Sequence, residues 1–374
     1  MSEMIQEQLS FEFETRKPIK GYPELHWTGK RPYKSTVYYP AQLKEVYGQE
    51  KDGWLNKIFW GDNLQVMSHL LKEYRGKIDL IYIDPPFDSK ADYKKLVKLK
   101  GQDITNDQSA FEEKQYGDIW TNDEYLQFMY ERLILCKELL SETGSIFLHC
   151  DWHKSAHLRL LMDEIFGIDK LRNEIAWCYT GPGSPGMRQY NRKHDTILWY
   201  SKSSVWTFNA DKIRVASEVH QGGFKGEMGA AESNSYTEKG KIPEDWWEFA
   251  VAARIPVDGK KRMGYPTEKP EKLLTRIIEA SSNPGDIVFD CFMGSGTTQA
   301  VALKLGRRFI GADINLGAIQ TTTKRLINIA NDLNSQFMPT GAYTGFEVYN
   351  VNNYDMFRNR RNYYSKEFRT NTRC

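Results

Sequence analysis

The chain reads as an α/β protein built on a doubly wound, mostly parallel sheet. Two observations predict this. Short apolar runs alternate along the 374 residues with segments whose apolar side chains recur every three or four positions. The runs are also apolar through most of their length, as strands covered on both faces require.

Taken in order, "NKIFW" is the first strand of this rhythm and "NLQVMSHLLKEY" the helix after it. "IDLIYI" follows as a strand. "TNDEYLQFMYERLILCKELLSETG" is a long amphipathic helix, with Thr121 or Asn122 as N-cap and Gly144 as its stop. "SIFLHC" is a strand, "HKSAHLRLLMDEIFG" a helix, and "EIAWCYT" and "DTILWYS" are strands separated by a Gly/Pro loop. From about 202 to 262 no apolar face is sustained. Regular alternation resumes with "TEKPEKLLTRIIEASS", "DIVFDC", "TTQAVALKLG" and "RFIGAD".

The organisation expected from this is an N-terminal arm over 1–50 and a catalytic domain made of 51–180 and 263–330. An insertion covers 181–262, and a basic extension covers 331–374. Hydrophobic residues make up 40% and charged residues 27%, and no apolar run reaches the span of a bilayer. The first residues carry no basic-then-apolar signal pattern, and the five cysteines form no CxxC pair. A cytoplasmic location without membrane contact is therefore expected. The net charge of +2 is uninformative, but its distribution is not. Arg358, Arg360, Arg361, Lys366, Arg369 and Arg373 crowd the C-terminus, and Arg188, Arg192 and Lys193 lie between the strands near 178 and 196. Such patches suit a phosphate backbone or simply a solvated surface.

Residues 286–315, "DIVFDCFMGSGTTQAVALKLGRRFIGADIN", form a strand, a glycine-rich turn, a helix and a second strand. Asp290 precedes the turn and Asp313 ends the second strand. Glycines admit a ligand close to the backbone, and a carboxylate at the second strand tip suits two ribose hydroxyls. The pattern is F-x-G-x-G rather than G-x-G-x-x-G, so the ligand need not carry a pyrophosphate. S-adenosyl-L-methionine satisfies this, with Asp290 facing its ammonium.

Upstream, the strand "IDLIYI" runs into Asp84-Pro85-Pro86-Phe87. Both motifs follow strand ends, where ligands of open α/β sheets bind. A carboxylate, carbonyls on a turn without amide donors and an aromatic face suit methylation of an exocyclic base amine. The ring stacks the extruded base while the oxygens accept its N–H groups.

"DPPF", "DCFMGSGTT" and "GADIN", with "FWGDNLQVMSHLL", "GSIFLHCD", "NEIAWCYTGPG", "KHDTILWYSK" and "GYPTEKPEKLLTRIIEASSNPGDIVFD", resemble the DNA amino-methyltransferases. The motif order is similar to that of the β group, which includes type III modification subunits. The resemblance implies a seven-stranded class I methyltransferase sheet with one antiparallel strand, in permuted motif order. It implies S-adenosyl-L-methionine as donor, no metal, and target recognition by 181–262. Asp84, Pro85, Pro86 and Phe87 then hold the acceptor. Asp62, Asn63, Thr267, Lys269, Asp290, Phe292, Gly294, Ser295, Gly296, Thr297 and Asp313 surround the cofactor. Lys90, Lys94, Lys95, Arg188, Arg192 and Lys193 are expected to contact double-stranded DNA. A homodimer and a restriction or accessory subunit are further expectations from the family.

Tyr265 stands where the family often has His. Asp at the head of the acceptor motif favours N6 of adenine. The alternatives are N4 of cytosine, RNA or a protein amide, and a catalytically silent DNA-binding subunit. His149, Cys150 and Asp151 alternate across the sheet and read as structural. The His153–His157 pair lacks a third ligand, so no metal site is expected there. "DWWEF" (245–249) reads either as insertion core or as a DNA-contacting wedge.

Overall fold

The computed structural model describes residues 8–14, 21, 23–86, 98–99, 102–103, 122–179, 188–216, 240–249, 269–335 and 342–351. Its centre is a ten-stranded sheet. The strands are β3 (Gln42–Tyr47), β4 (Asn56–Trp60), β5 (Ile78–Ile83), β8 (Leu140–Cys150) and β9 (Leu171–Cys178). They continue with β10 (His194–Ser201), β11 (Trp246–Glu248), β12 (Ile287–Asp290), β13 (Arg308–Asp313) and β14 (Phe346–Asn350). Their spatial order is β11-β9-β10-β8-β5-β12-β13-β4-β14-β3. Two short antiparallel pairs lie outside it, β1 (Ser10–Glu12) with β2 (Ser35–Val37), and β6 (Lys98–Leu99) with β7 (Gln102–Asp103).

The expected seven-stranded sheet is present as the contiguous run from β9 to β4, with β10 as its one antiparallel member. Three further strands extend it. Two come from regions read as an arm and a tail, since β3 belongs to 1–50 and β14 to 331–374. β14 lies parallel to β4, and β3 closes that edge antiparallel to β14. The insertion expected over 181–262 is likewise not separate from the sheet. β10 and β11 both lie within it and both pair with β9. In β11, Trp247 is buried while Trp246 is exposed, so the two rings of "DWWEF" divide by strand alternation.

Helices α1 (Asn63–Tyr74), α2 (Asn122–Leu139) and α3 (Ser155–Phe166) share one core with one face of the sheet. Helices α4 (Glu271–Ser281), α5 (Thr297–Lys304) and α6 (Leu316–Ser335) share the other. Strand side chains alternate between the two cores. Ile81 and Ile83 belong to the first, and Leu80 and Tyr82 to the second. Both faces are covered, which is why these strands read as unbroken apolar runs. Among the described residues, no helix is long and apolar enough to cross a membrane.

One boundary differs from expectation. The long helix ends at Leu139, ahead of Gly144, because β5 captures the chain early: Ile78 pairs with Leu140. The register then shifts so that Leu80 pairs with Ser145, leaving Gly144 beside the irregularity. A Cβ at Gly144 would lie 2.9 Å from the Ile78 carbonyl oxygen, so the glycine permits this close approach.

Asn56 joins three parts of the sheet and is fully buried. Its Oδ1 accepts bonds from Trp54 Nε1 (2.9 Å) and from the Phe309 amide (2.8 Å). Its Nδ2 donates to the carbonyls of Tyr343 (2.5 Å) and Gly345 (3.0 Å), so β4, β13 and the approach to β14 meet on one amide. Asn56→Ala strands several buried polar groups and is expected to cost roughly 2–4 kcal/mol, read as a lower denaturant midpoint. A loss below about 0.5 kcal/mol would contradict this role.

Candidate active site

Four neighbouring parallel strands end in, or just before, a carboxylate. Asp84 follows β5, Asp290 ends β12, Asp313 ends β13 and Asp62 lies just past β4. The chain leaves β5 toward β8 but returns through β12 toward β13, so the strand order diverges between β5 and β12. At such a switch point the connections part and leave a crevice. A cavity of about 70 Å³ lies there, lined in part by Asp84, Lys269, Asp290, Phe292, Gly294 and Thr297.

Asp84 is held on one side only. Its Oδ2 accepts a bond from the Lys269 ammonium. Its Oδ1 is buried and has no hydrogen-bond partner among the described residues. Pro85 is buried and Pro86 half-buried. Phe87, Lys90, Lys94, Lys95 and Thr267 lie outside the described residues.

Opposite Asp84 is the glycine-rich turn. Gly294 and Gly296 have φ of 51° and 72°, in the left-handed region that favours glycine. A Cβ at Gly296 would stand 2.4 Å from Thr322 Cγ2. Asp290 braces the turn from below. Its Oδ1 accepts the Phe292 amide (2.9 Å) and its Oδ2 the Thr298 hydroxyl (2.6 Å). Asp313 braces it from the side, accepting the amides of Gly294 (2.9 Å) and Asn315 (2.8 Å). Burial raises the Asp290 carboxyl to about 7 against those two bonds, and raises Asp313 to about 6 against its backbone bonds.

Asp62 caps α1 through the amides of Leu64 (2.9 Å) and Gln65 (3.4 Å). Asn63 donates to the Cys291 carbonyl (3.1 Å), tying α1 to the turn. Ser295 and Thr297 are buried in the turn. Lys269, expected on the cofactor side, lines the cavity and pairs with Asp84.

A family model described as DNA methylase matches residues 78–324, well over half of the chain. The chain belongs to this DNA methylase family. DNA adenine methyltransferase YhdJ of Escherichia coli (strain K12) is 30% identical over 270 residues, covering 72% of this chain and 82% of that protein. Type II methyltransferase M.HpaI of Haemophilus parainfluenzae is 32% identical over 279 residues, covering 73% and 77%. A crystal structure of an M1.HpyAVI-SAM complex aligns with a TM-score of 0.46 at 20% identity, over 72% of this chain and 98% of that one.

Three residues of this DNA methylase site escaped sequence reading. Arg132 of α2, almost fully buried, bonds Asn63 Oδ1 (2.5 Å) and Asp62 Oδ2 (3.1 Å). Arg325 of α6 reaches the Ser295 carbonyl (3.3 Å) and Thr297 Oγ1 (3.2 Å), clamping the turn from above. Nothing in their local sequence separates them from surface arginines, because the contacts are long-range. His149, read as structural, is the third. Ile83 pairs with Leu148, so His149 stands alongside Asp84 on the adjacent strand. Strand parity was the available signal. The trio His149, Cys150 and Asp151 does alternate, and parity puts His149 on the face of Asp84 and Cys150 on the other. Near the double histidine, His153 Nδ1 pairs with Asp151 (2.6 Å). Among the described residues, no group of three or more His, Cys, Asp or Glu stands in a metal-binding arrangement.

A carboxyl raised by burial stabilises the folded state while both states hold its proton, and that contribution is lost as pH rises through the folded value. For Asp290 the loss runs from near 4 up to about 7. Asp290→Asn does not titrate, so its stability relative to the unmodified protein should improve by about 2–3 kcal/mol between about pH 5 and pH 8. Denaturant unfolding of both proteins at the two pH values measures this. A difference that does not change with pH would contradict it.

Proposed function

We propose that this DNA methylase transfers a methyl group from S-adenosyl-L-methionine to the exocyclic N6 amine of an adenine in DNA. The observation that carries the reading is the Oδ1 atom of Asp84. A buried acceptor left without a partner costs free energy unless a ligand satisfies it. An amine N–H satisfies it, and the cavity between Asp84 and the glycine-rich turn is where such an amine would meet a donor.

The residues present fit the cofactor. The turn keeps Cβ atoms away at Gly294 and Gly296, and two strand-tip carboxylates flank it. Asp290, Phe292, Gly294, Ser295, Gly296, Thr297 and Asp313 would hold it, with Asp62 and Asn63 anchoring α1 beside the turn. When bound, it supplies an electrophilic methyl on a sulfonium. The chain's own residues prepare the acceptor. Lys269 fixes Asp84 through Oδ2, so Oδ1 can draw on one amine N–H and localise the nitrogen lone pair. The Pro85-Pro86 backbone brings acceptors without competing donors. Phe87 is assigned the stacking face for the extruded base.

The reading of adenine is supported by Asp at the head of the acceptor motif and by the printed name of the Escherichia coli relative. Contact with DNA is assigned to the rim where β8 ends and β10 begins. There Arg192 stacks on the half-exposed Trp152 ring with Cζ 3.7 Å from its centroid, and Tyr190 is almost fully exposed. Arg188 and Lys193 flank them, and aromatic rings interleaved with cations suit a phosphate backbone with unstacked bases.

Transfer of tritiated methyl groups to DNA, followed by nucleoside analysis, tests the reading. Label is expected on N6-methyladenine, with Asp84→Ala slowing transfer by about 10²–10³-fold or more. Label on cytosine alone, on RNA or on protein would overturn the substrate. Transfer by Asp84→Ala at the unmodified rate would overturn the mechanism.

A further inference from the structure

Behind Asp84 lies a chain of polar side chains that the acceptor reading does not use. His149 has no exposed surface. Its Nδ1 is 3.0 Å from the Tyr82 hydroxyl, and its Nε2 is 3.2 Å from Asp195 Oδ2. Asp195 Oδ1 in turn accepts the Tyr179 hydroxyl at 3.1 Å. The Trp177 ring stands edge-on to the imidazole, 5.4 Å between centroids. His149 Nδ1 also lies 3.6 Å from Asp84 Oδ1, close enough to influence that oxygen and too far to bond it.

These contacts assign the tautomer. An ionised carboxylate only accepts, so His149 must donate Nε2–H to Asp195. Burial and the nearby carboxylates of Asp84, Asp290 and Asp195 keep the Tyr82 phenol protonated, so it has an O–H to give to Nδ1. With Nε2–H given to Asp195 and the one Nδ1 lone pair taken by the Tyr82 O–H, the ring edge beside Asp84 Oδ1 carries no proton with which to capture that oxygen.

We propose that His149 is a positioning residue for methyl transfer: locked in the Nε2–H form by Asp195, it keeps Asp84 Oδ1 turned into the cavity and available to the target amine. The inference rests on the reading of Asp84 as the acceptor of an amine N–H. Lys269 holds Oδ2, and the unprotonated Nδ1 edge beside Oδ1 makes no bond that would draw that oxygen out of the cavity. In Asp195→Asn the carboxamide oxygen keeps the Tyr179 hydroxyl, so its NH2 group faces Nε2. The imidazole proton then moves to Nδ1, which turns on Oδ1 and competes with the substrate.

Two measurements on the full chain test this. Nitrogen NMR of histidine-labelled protein should find the ring of His149 as Nε2–H, and as Nδ1–H in Asp195→Asn. Single-turnover methyl transfer to DNA by Asp195→Asn should fall by about 10–100-fold while cofactor and DNA affinities stay within about threefold, as for loss of a supporting partner. An Nδ1–H ring in the unmodified protein overturns the proposal even if the variant does not fold. So does an Asp195→Asn rate within about threefold of the unmodified rate. Failure of the unmodified protein to methylate DNA at all would instead overturn the reading of the site on which the proposal rests.

Discussion

Parallel pairing of β5 with β8 on one side and β12 on the other determines where every group of the site stands. The pairs Ile83–Leu148 and Phe289–Ile81 bring Asp84, His149 and Asp290 to one edge of the sheet. Asp290 is joined to Asp313 across β13 through the pair Asp290–Gly311. A slip of one residue in β5 would turn Asp84 to the opposite face and leave Lys269 without its carboxylate. The apolar alternation of Leu80, Ile81, Tyr82 and Ile83 between two cores resists that slip, since it would move every one of them to the wrong core. Core packing and site geometry thus depend on one register.

That register places unlike demands on neighbouring acids. Asp290 and Asp313 spend their oxygens on the turn, and burial raises both carboxyls. Asp62 serves as a helix cap and a partner for Arg132. Only Asp84, among these four, keeps an oxygen unpartnered among the described residues. Environment rather than residue type separates the structural carboxylates from the one assigned to chemistry. Arg325 and Thr322 add stiffness from α6, so the turn is held from both sides.

The parts of this architecture legible in the sequence are those written locally. Asp84-Pro85-Pro86 after an apolar run and Phe292-Met293-Gly294-Ser295-Gly296 before a helix each carry their meaning within a few residues. Strand and helix rhythm followed from periodicity for the same reason. The parts that were not legible depend on partners far along the chain. β14 is five residues with ordinary alternation, and only its place beside β4 makes it part of the sheet. The stop at Leu139 reflects capture by β5, which outweighs the glycine signal at Gly144. Arg132, Arg325 and the His149–Asp195 pair emerge only when separate elements are brought together. Lys269 was legible as a site residue, though its contact with Asp84 spans the insertion and could not be read from spacing.

The most direct measurement is a structure of the protein with duplex DNA carrying its target and a cofactor analogue that has no transferable methyl. Its exocyclic amine nitrogen is predicted to stand about 3 Å from Asp84 Oδ1, with Lys269 still on Oδ2. An amine bonded to other groups, with Asp84 Oδ1 still without a partner, would contradict the assignment of that oxygen.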